Sequence, residues 1–94
     1  MFRITVDEHP AGATMRVEGR FARDAAEEAK HAMMCRNTPA GLVVDLSEVT
    51  FADAAGEKAL GWLRSIGAKF VAETSYSLHL CECLHLPRLS VLIP

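Results

Sequence analysis

Apolar and polar residues alternate at the start of the chain. Phe2, Ile4 and Val6 fall on one side and Arg3 and Thr5 on the other, the period of a strand with one covered face. "EHPAGA" (8–13) follows with turn residues, and "TMRVEG" (14–19) alternates again through Met15 and Val17 to Gly19. The two segments predict an antiparallel hairpin whose loop is somewhat longer than the tightest type. From Phe21 to Cys35 the period becomes helical: Ala22, Ala25, Ala26, Ala29 and Met33 recur on one side, with Arg23, Asp24, Glu27, Glu28 and Lys30 mostly away from them. An alanine-rich face is flat and lets the helix backbone sit close to what lies beneath it. "RNTPAG" (36–41) ends this helix with Pro39 and Gly41.

"LVVDL" (42–46) is a short, unalternating, β-branched run, which predicts a central strand covered on both faces. A second helix is expected from about Ala54 to Ile66, with Ala55, Ala59, Trp62, Leu63 and Ile66 along one stripe and Gly67 as its C-terminal stop. "AKFVA" (68–72) reads as a strand, and "ETS" (73–75) as a helix entry in which Thr74 or Ser75 caps. The third helix, over about 76–86, is expected to bury Tyr76, Leu80, Cys83 and Leu84 and to stop at Pro87, and "LSVLI" (89–93) offers a last edge strand. The order is ββαβαβα with a further β at the end. It defines an α/β fold, a mixed sheet of four to five strands with three helices packed against it, with right-handed crossovers and partly parallel pairing in its second half.

Ninety-four residues, half of them hydrophobic and 23% charged, make one globular domain spanning 1–94, outside the disordered class. Ten Lys plus Arg against twelve Asp plus Glu give a net charge of -2 with no basic block, so nucleic acid is not an expected partner. No apolar run reaches the roughly 18 to 20 residues of a membrane span, and "MFRITVDEHP" lacks the basic start and apolar middle of a signal peptide. The expectation is a cytoplasmic protein with no direct membrane insertion. Three cysteines, two of them in "CEC" (81–83), fit reduced thiols better than a disulfide framework.

The most informative stretch is "VVDLSEVTFADAAGEKAL" (43–60). The first N–H groups of a helix lack intrahelical partners and carry partial positive charge, and Asp53 stands where an N-cap would answer them. Ala54, Ala55 and Gly56 follow, so the first turn is bare enough for another molecule to approach closely. The stretch also leaves the carboxyl end of the central strand, where α/β sheets place functional contacts. A plain helix cap, with the alanines merely favouring the helix, accounts for the same residues, and local physics does not separate the two readings.

An apolar strand ending in "DLS", a short gap, then a hydrophobic residue before D-x-x-G and an amphipathic helix resembles the STAS domain, the fold of bacterial anti-sigma-factor antagonists and of the cytoplasmic tail of sulphate transporters. The match runs through Val43, Val44, Asp45, Leu46, Val49, Phe51, Asp53, Gly56 and Leu60, and "VEGRF" (17–21) resembles the family's step into its first helix. The resemblance implies a regulatory protein that binds another protein, an anti-sigma factor or its kinase. The residue before the motif glycine is often a phosphorylated serine or threonine in that family. Here it is Ala55, preceded by Ala54, so the usual phosphate has no oxygen to sit on; Ser47 and Thr50 are hydroxyls nearby, expected in the same loop. The expected docking surface is Phe51, Asp53, Ala54, Ala55, Gly56, Glu57, Lys58 and Trp62, with Asp53 as cap and acidic contact, Gly56 permitting close backbone approach, and Glu57 and Lys58 selecting the partner. Trp62 reads as partly core or as a partner anchor. The resemblance also admits an accessory subunit of a bacterial ABC lipid-transport complex, which docks on the transporter ATPase and needs no phosphorylated serine. A small-ligand sensor with a pocket lined by Met33, Met34 and the third helix is a further alternative.

"HLCECLH" (79–85) alternates His79, Cys81, Cys83 and His85, a ligand row if it were a strand. As a helix it pairs His79 with Cys83 and Cys81 with His85 in different directions, so no metal is expected. No P-loop, G-x-G-x-x-G or G-x-S-x-G occurs, and the Cys/His candidates have no positioned base or oxyanion pocket, so neither catalysis nor a cofactor is expected. Homodimerisation stays open through the alanine-rich helix face or the apolar "LSVLI" strand.

Overall fold

The hairpin forms as the alternation requires, with strands longer than the pattern alone suggests. In a computed structural model that describes residues 2–10, 12–34 and 41–88, β1 (Phe2–His9) and β2 (Gly12–Phe21) pair antiparallel from Phe2↔Gly19 to His9↔Gly12. The connection is therefore two residues, shorter than expected, and Gly12 takes a positive φ of 147° that closes it. There follow α1 (Arg23–Met34), β3 (Leu42–Ala52), α2 (Ala54–Ser65), β4 (Lys69–Val71) and α3 (Ser75–Leu84). The sheet order is β1-β2-β3-β4, with β2–β3 and β3–β4 parallel, which is the mixed four-stranded sheet with three helices in the order ββαβαβα.

Phe21 belongs to β2 and not to the first helix. It pairs with Ala52 in the parallel ladder and is fully buried, while its spacing of four from Ala25 mimics a helical repeat. The central strand also departs from expectation in two ways. It runs to Ala52 instead of Leu46, and its burial alternates: Leu42, Val44 and Leu46 are buried, whereas Val43 and Asp45 are half-buried on the other face. The buried faces of β2 and β3 join Ala25, Ala29 and Met33 of α1, Leu60 and Leu63 of α2 and Leu80 of α3 in one core. The opposite face, with Thr14, Arg16, Asp45 and Lys69, is polar and has no helix on it among the described residues. The sheet is thus covered on one side, and the unbroken "LVV" run places one valine, Val43, on the polar side.

Past Leu46 the period breaks because β3 carries extra residues. The β2–β3 register shifts between Arg16 and Glu18 and again between Gly19 and Arg20, so the next buried positions are Val49 and then Ala52. Asp45 steadies the first shift by accepting a hydrogen bond from the Ser47 N–H at 2.9 Å. Ser47 and Thr50 consequently lie within a strand, not in a loop.

Thr74 caps α3 through a reciprocal pair with Ser77, whose side chain is buried but fully satisfied. That helix buries Ser77, Leu80 and Cys81; Tyr76 and Leu84 are half-buried, and Cys83, expected inside, is exposed because the helix turns its Cys81 side to the sheet. It stops at His85, in the left-handed conformation at φ 54°, before Pro87 is reached. The Phe70 N–H donates to Pro87 O at 2.9 Å and Phe70 pairs in parallel with Arg88. The edge strand expected over 89–93, and the helix stop expected at Pro39, lie outside the described residues.

Candidate functional site

Three elements converge at the carboxyl ends of the parallel strands. The β2–β3 register sets Arg20 opposite Phe51, and the Arg20 guanidinium lies 5.0 Å from the Phe51 ring centroid. Phe51 is one of two large hydrophobic side chains exposed among the described residues, at 42%. One residue on, the Ala52 N–H donates to the Tyr76 hydroxyl at 2.8 Å, which ties the strand exit to the first turn of α3. Asp53 then caps α2: its backbone is extended and its Oδ1 accepts from the Gly56 N–H at 2.8 Å.

Beyond the cap, the expected docking residues divide by exposure. Ala54, Glu57 and Lys58 are exposed, Ala55 is half-buried, and neither Glu57 nor Lys58 is in an ion pair among the described residues. Gly56 is buried. A Cβ at this position would overlap the Phe21 carbonyl oxygen and lie 3.0 Å from its carbonyl carbon and 3.2 Å from Phe21 Cδ2. The close approach that glycine permits is therefore made inside the chain, by the first turn of α2 on the end of β2, and Gly56 offers no surface to a partner. Trp62 is half-buried against the core, two turns further along the helix.

A hollow of ≈ 270 Å³ opens beside this rim, lined by Phe2, Arg20, Ala22, Arg23, Asp24, Ala25 and Asp53. Sequence reading missed Arg20, Arg23 and Asp24 as neighbours of Asp53. Their signal is positional, since the step from β2 into α1 meets the step from β3 into α2 only once those strands are known to be parallel and adjacent. The hollow carries two cations and two carboxylates. The two methionines proposed to line one pocket part company: Met33 is buried in the core while Met34 is 76% exposed.

At the other end of α3, Cys83 Sγ lies 3.3 Å from His79 Nε2, and Cys81 is buried behind them with its thiol pKa pushed up by burial, partly offset by Arg88. Among the described residues no group of three or more His, Cys, Asp or Glu side chains is placed to hold a metal ion.

A one-sided mixed sheet in the order ββαβαβα, with a capped and partly bare helix start at the ends of its parallel strands, defines an α/β domain. The fold is that of the STAS domain. An anti-sigma factor antagonist from Mycobacterium paratuberculosis superposes with a TM-score of 0.74 over 90% of this chain and 79% of its own, at 24% identity. The unphosphorylated anti-sigma factor antagonist SpoIIAA gives 0.66 over 96% and 90%, at 11% identity. An antisigma-factor antagonist STAS domain from Rhodobacter sphaeroides gives 0.57 over 76% and 84%, at 23% identity. No family model matches the sequence, and no curated protein matches it. No helix among the described residues is long and apolar enough to cross a membrane.

Proposed function

We propose that the protein is a non-catalytic regulatory module that docks on another protein through the rim formed by Phe51, Asp53, Ala54, Ala55, Glu57 and Lys58. The observation that carries this reading is the exposed Phe51 ring beside a capped helix start whose outward charges, Glu57 and Lys58, make no ion pair among the described residues. An exposed aromatic at the centre of a patch rimmed by charges is the composition that protein interfaces favour. The likeness to anti-sigma factor antagonists supports an anti-sigma factor or its kinase as the partner class. With alanine at 54 and 55 the docking surface carries no phosphate switch at its start. Ser47 does not take over that role in this reading, since it is half-buried in β3 with its Oγ 3.5 Å from Glu73 Oε1.

Affinity capture of the tagged chain from its native host, beside an Ala55→Glu control, tests the proposal. Ala55 is half-buried beside the exposed Ala54, Glu57 and Lys58, so the control adds charge at the rim, and circular dichroism checks that it is folded. Recovery of a kinase or anti-sigma factor by the native bait alone supports the reading, and recovery of a transport ATPase instead assigns the ABC accessory role. Equal recovery by both baits moves the docking surface off the α2 start.

A further inference from the structure

β1 ends the sheet, so its outer side presents a row of backbone N–H and C=O groups with no strand beside it among the described residues. Such an edge is a template for another strand unless something guards it. Proline is absent from Phe2–His9, and the β1–β2 ladder runs through eight residue pairs without a register shift, whereas β2–β3 has two. Only charge is left as a guard, carried by the exposed Arg3, Asp7 and Glu8.

The placement of those charges turns the guard into a recognition pattern. In "RITVD" (3–7), Arg3 and Asp7 stand two residues either side of Thr5, and Ile4 and Val6 one residue either side. If a second copy pairs antiparallel about a two-fold axis at Thr5, each Arg3 faces Asp7 of the other copy on the polar side of the sheet. Ile4 faces Val6 on the helix side, with Phe2 facing Glu8 beyond them, and Thr5 meets its own equivalent. Sliding by one residue sets Arg3 and Asp7 against the apolar face. Sliding so that Arg3 meets Thr5 or His9 separates both charge pairs.

Among the described residues neither charge is held in an ion pair, although Glu18 stands opposite Arg3. Arg3 and Asp7 lie roughly 13 Å apart along the strand, too far to pair with each other. Arg3 is opposite Glu18, but Glu18 Oε1 already meets Arg16 Nε at 3.5 Å; Asp7 is opposite Thr14, whose Oγ1 meets His9 Nε2 at 3.2 Å. Neither Arg3 nor Asp7 makes an ion pair or side-chain hydrogen bond among the described residues. Phe2, Ile4 and Val6 are only half-covered by the core, so the helix side of the edge has apolar surface left to bury.

We propose that two copies of the chain join β1 to β1 about Thr5, doubling the four-stranded sheet into one continuous sheet with both helix layers on the same face. This differs from the two self-contacts suggested by sequence. The alanine face of α1 is already spent on the chain's own core, and residues 89–93 lie outside the described structure. A single strand pair covers less than the ~1,200 Å² of standard interfaces, so the dimer is reversible and concentration-dependent.

Sedimentation equilibrium of the full chain over a concentration series tests this, with circular dichroism confirming that each variant is folded. The native chain is expected to rise from 10.3 kDa towards twice that mass. Arg3→Asp or Asp7→Arg alone opposes like charges twice per dimer and is expected to weaken association about tenfold or more, and the double exchange Arg3→Asp/Asp7→Arg to restore it. Because Arg3→Asp also meets Glu18 in its own chain, Asp7→Arg, which faces Thr14, decides independently. A chain that stays monomeric up to about millimolar concentration, a dimer indifferent to Asp7→Arg, or a double exchange that fails to restore association each overturns the proposal.

Discussion

Two glycines in the same helix should respond to alanine with opposite signs. Gly56 and Gly61 both lie in α2, where alanine is intrinsically favoured over glycine by about 0.5–1 kcal/mol. At Gly61 an added Cβ meets nothing within 4 Å, so Gly61→Ala is expected to stabilise by that amount. At Gly56 the added carbon overlaps the Phe21 carbonyl oxygen, a backbone atom that cannot rotate aside as a flexible side chain would. Relief requires the first turn of α2 to lift off β2. Overpacking of this kind costs about 1–3 kcal/mol. The same movement strains the 2.8 Å bond from the Gly56 N–H to Asp53, with up to about 1 kcal/mol more at stake in the cap. After subtracting the propensity gain, Gly56→Ala should destabilise by about 0.5–3 kcal/mol, a fall in Tm of about 2–20 °C for a domain of this size. Urea unfolding followed by circular dichroism measures both variants, and unchanged m-values would confirm that the native states remain comparably compact. If Gly56→Ala proved as stable as Gly61→Ala, the helix start would not be seated on Phe21 and the geometry of the rim would have to be redrawn.

Tyr76→Phe removes the hydroxyl that accepts from the Ala52 N–H, leaving a part-buried donor without that partner, and is expected to cost about 1–2 kcal/mol in the same assay; no change would mean that the strand exit is not tied to α3. In a Cys35→Ser background, Ellman's reagent should label the exposed Cys83 quickly and the buried Cys81 only on unfolding, and equal rates would contradict the orientation of α3. Burial raises the Cys81 pKa above the ordinary 9.0, so the stability it contributes is complete below that pH and fades as pH rises from 9.0 through the folded value. Cys81→Ala should lack that alkaline decline in its pH–stability profile, whatever it loses in packing.

Periodicity was enough to locate the described elements, because each buries one face. It was weakest where one residue serves two patterns or where an insertion resets the phase. Phe21 reads as helical by its spacing from Ala25, yet its backbone pairs with Ala52, and no local feature distinguishes the two. β3 looked finished at Leu46 because its register shifts move the buried positions from a spacing of two to one of three, through Val49 to Ala52. Val43 made the strand look covered on both sides although its face is the polar one. Cys83 reads as buried from the sequence, yet the helix turns Cys81 to the core instead, an error of phase that a ten-residue element gives little sequence to correct.

The candidate rim shows the same division between local and non-local information. Asp53 as a cap was legible because a capping side chain acts within three residues of itself. Arg20 beside Phe51, and Arg23 and Asp24 around the same hollow, depend on a parallel register between strands separated by a whole helix. Gly56 sits on the boundary between the two kinds of information. Its motif position suggested an opening for a partner, but the atom it makes room for is Phe21 O of its own chain, thirty-five positions earlier. Substitutions in the rim must therefore be read in two groups. Changes at Ala54, Glu57 and Lys58 act on exposed surface and report on a partner. Any substitution at Gly56 acts first on how α2 is seated, so a loss of binding there would follow from a displaced helix and would not by itself locate the interface.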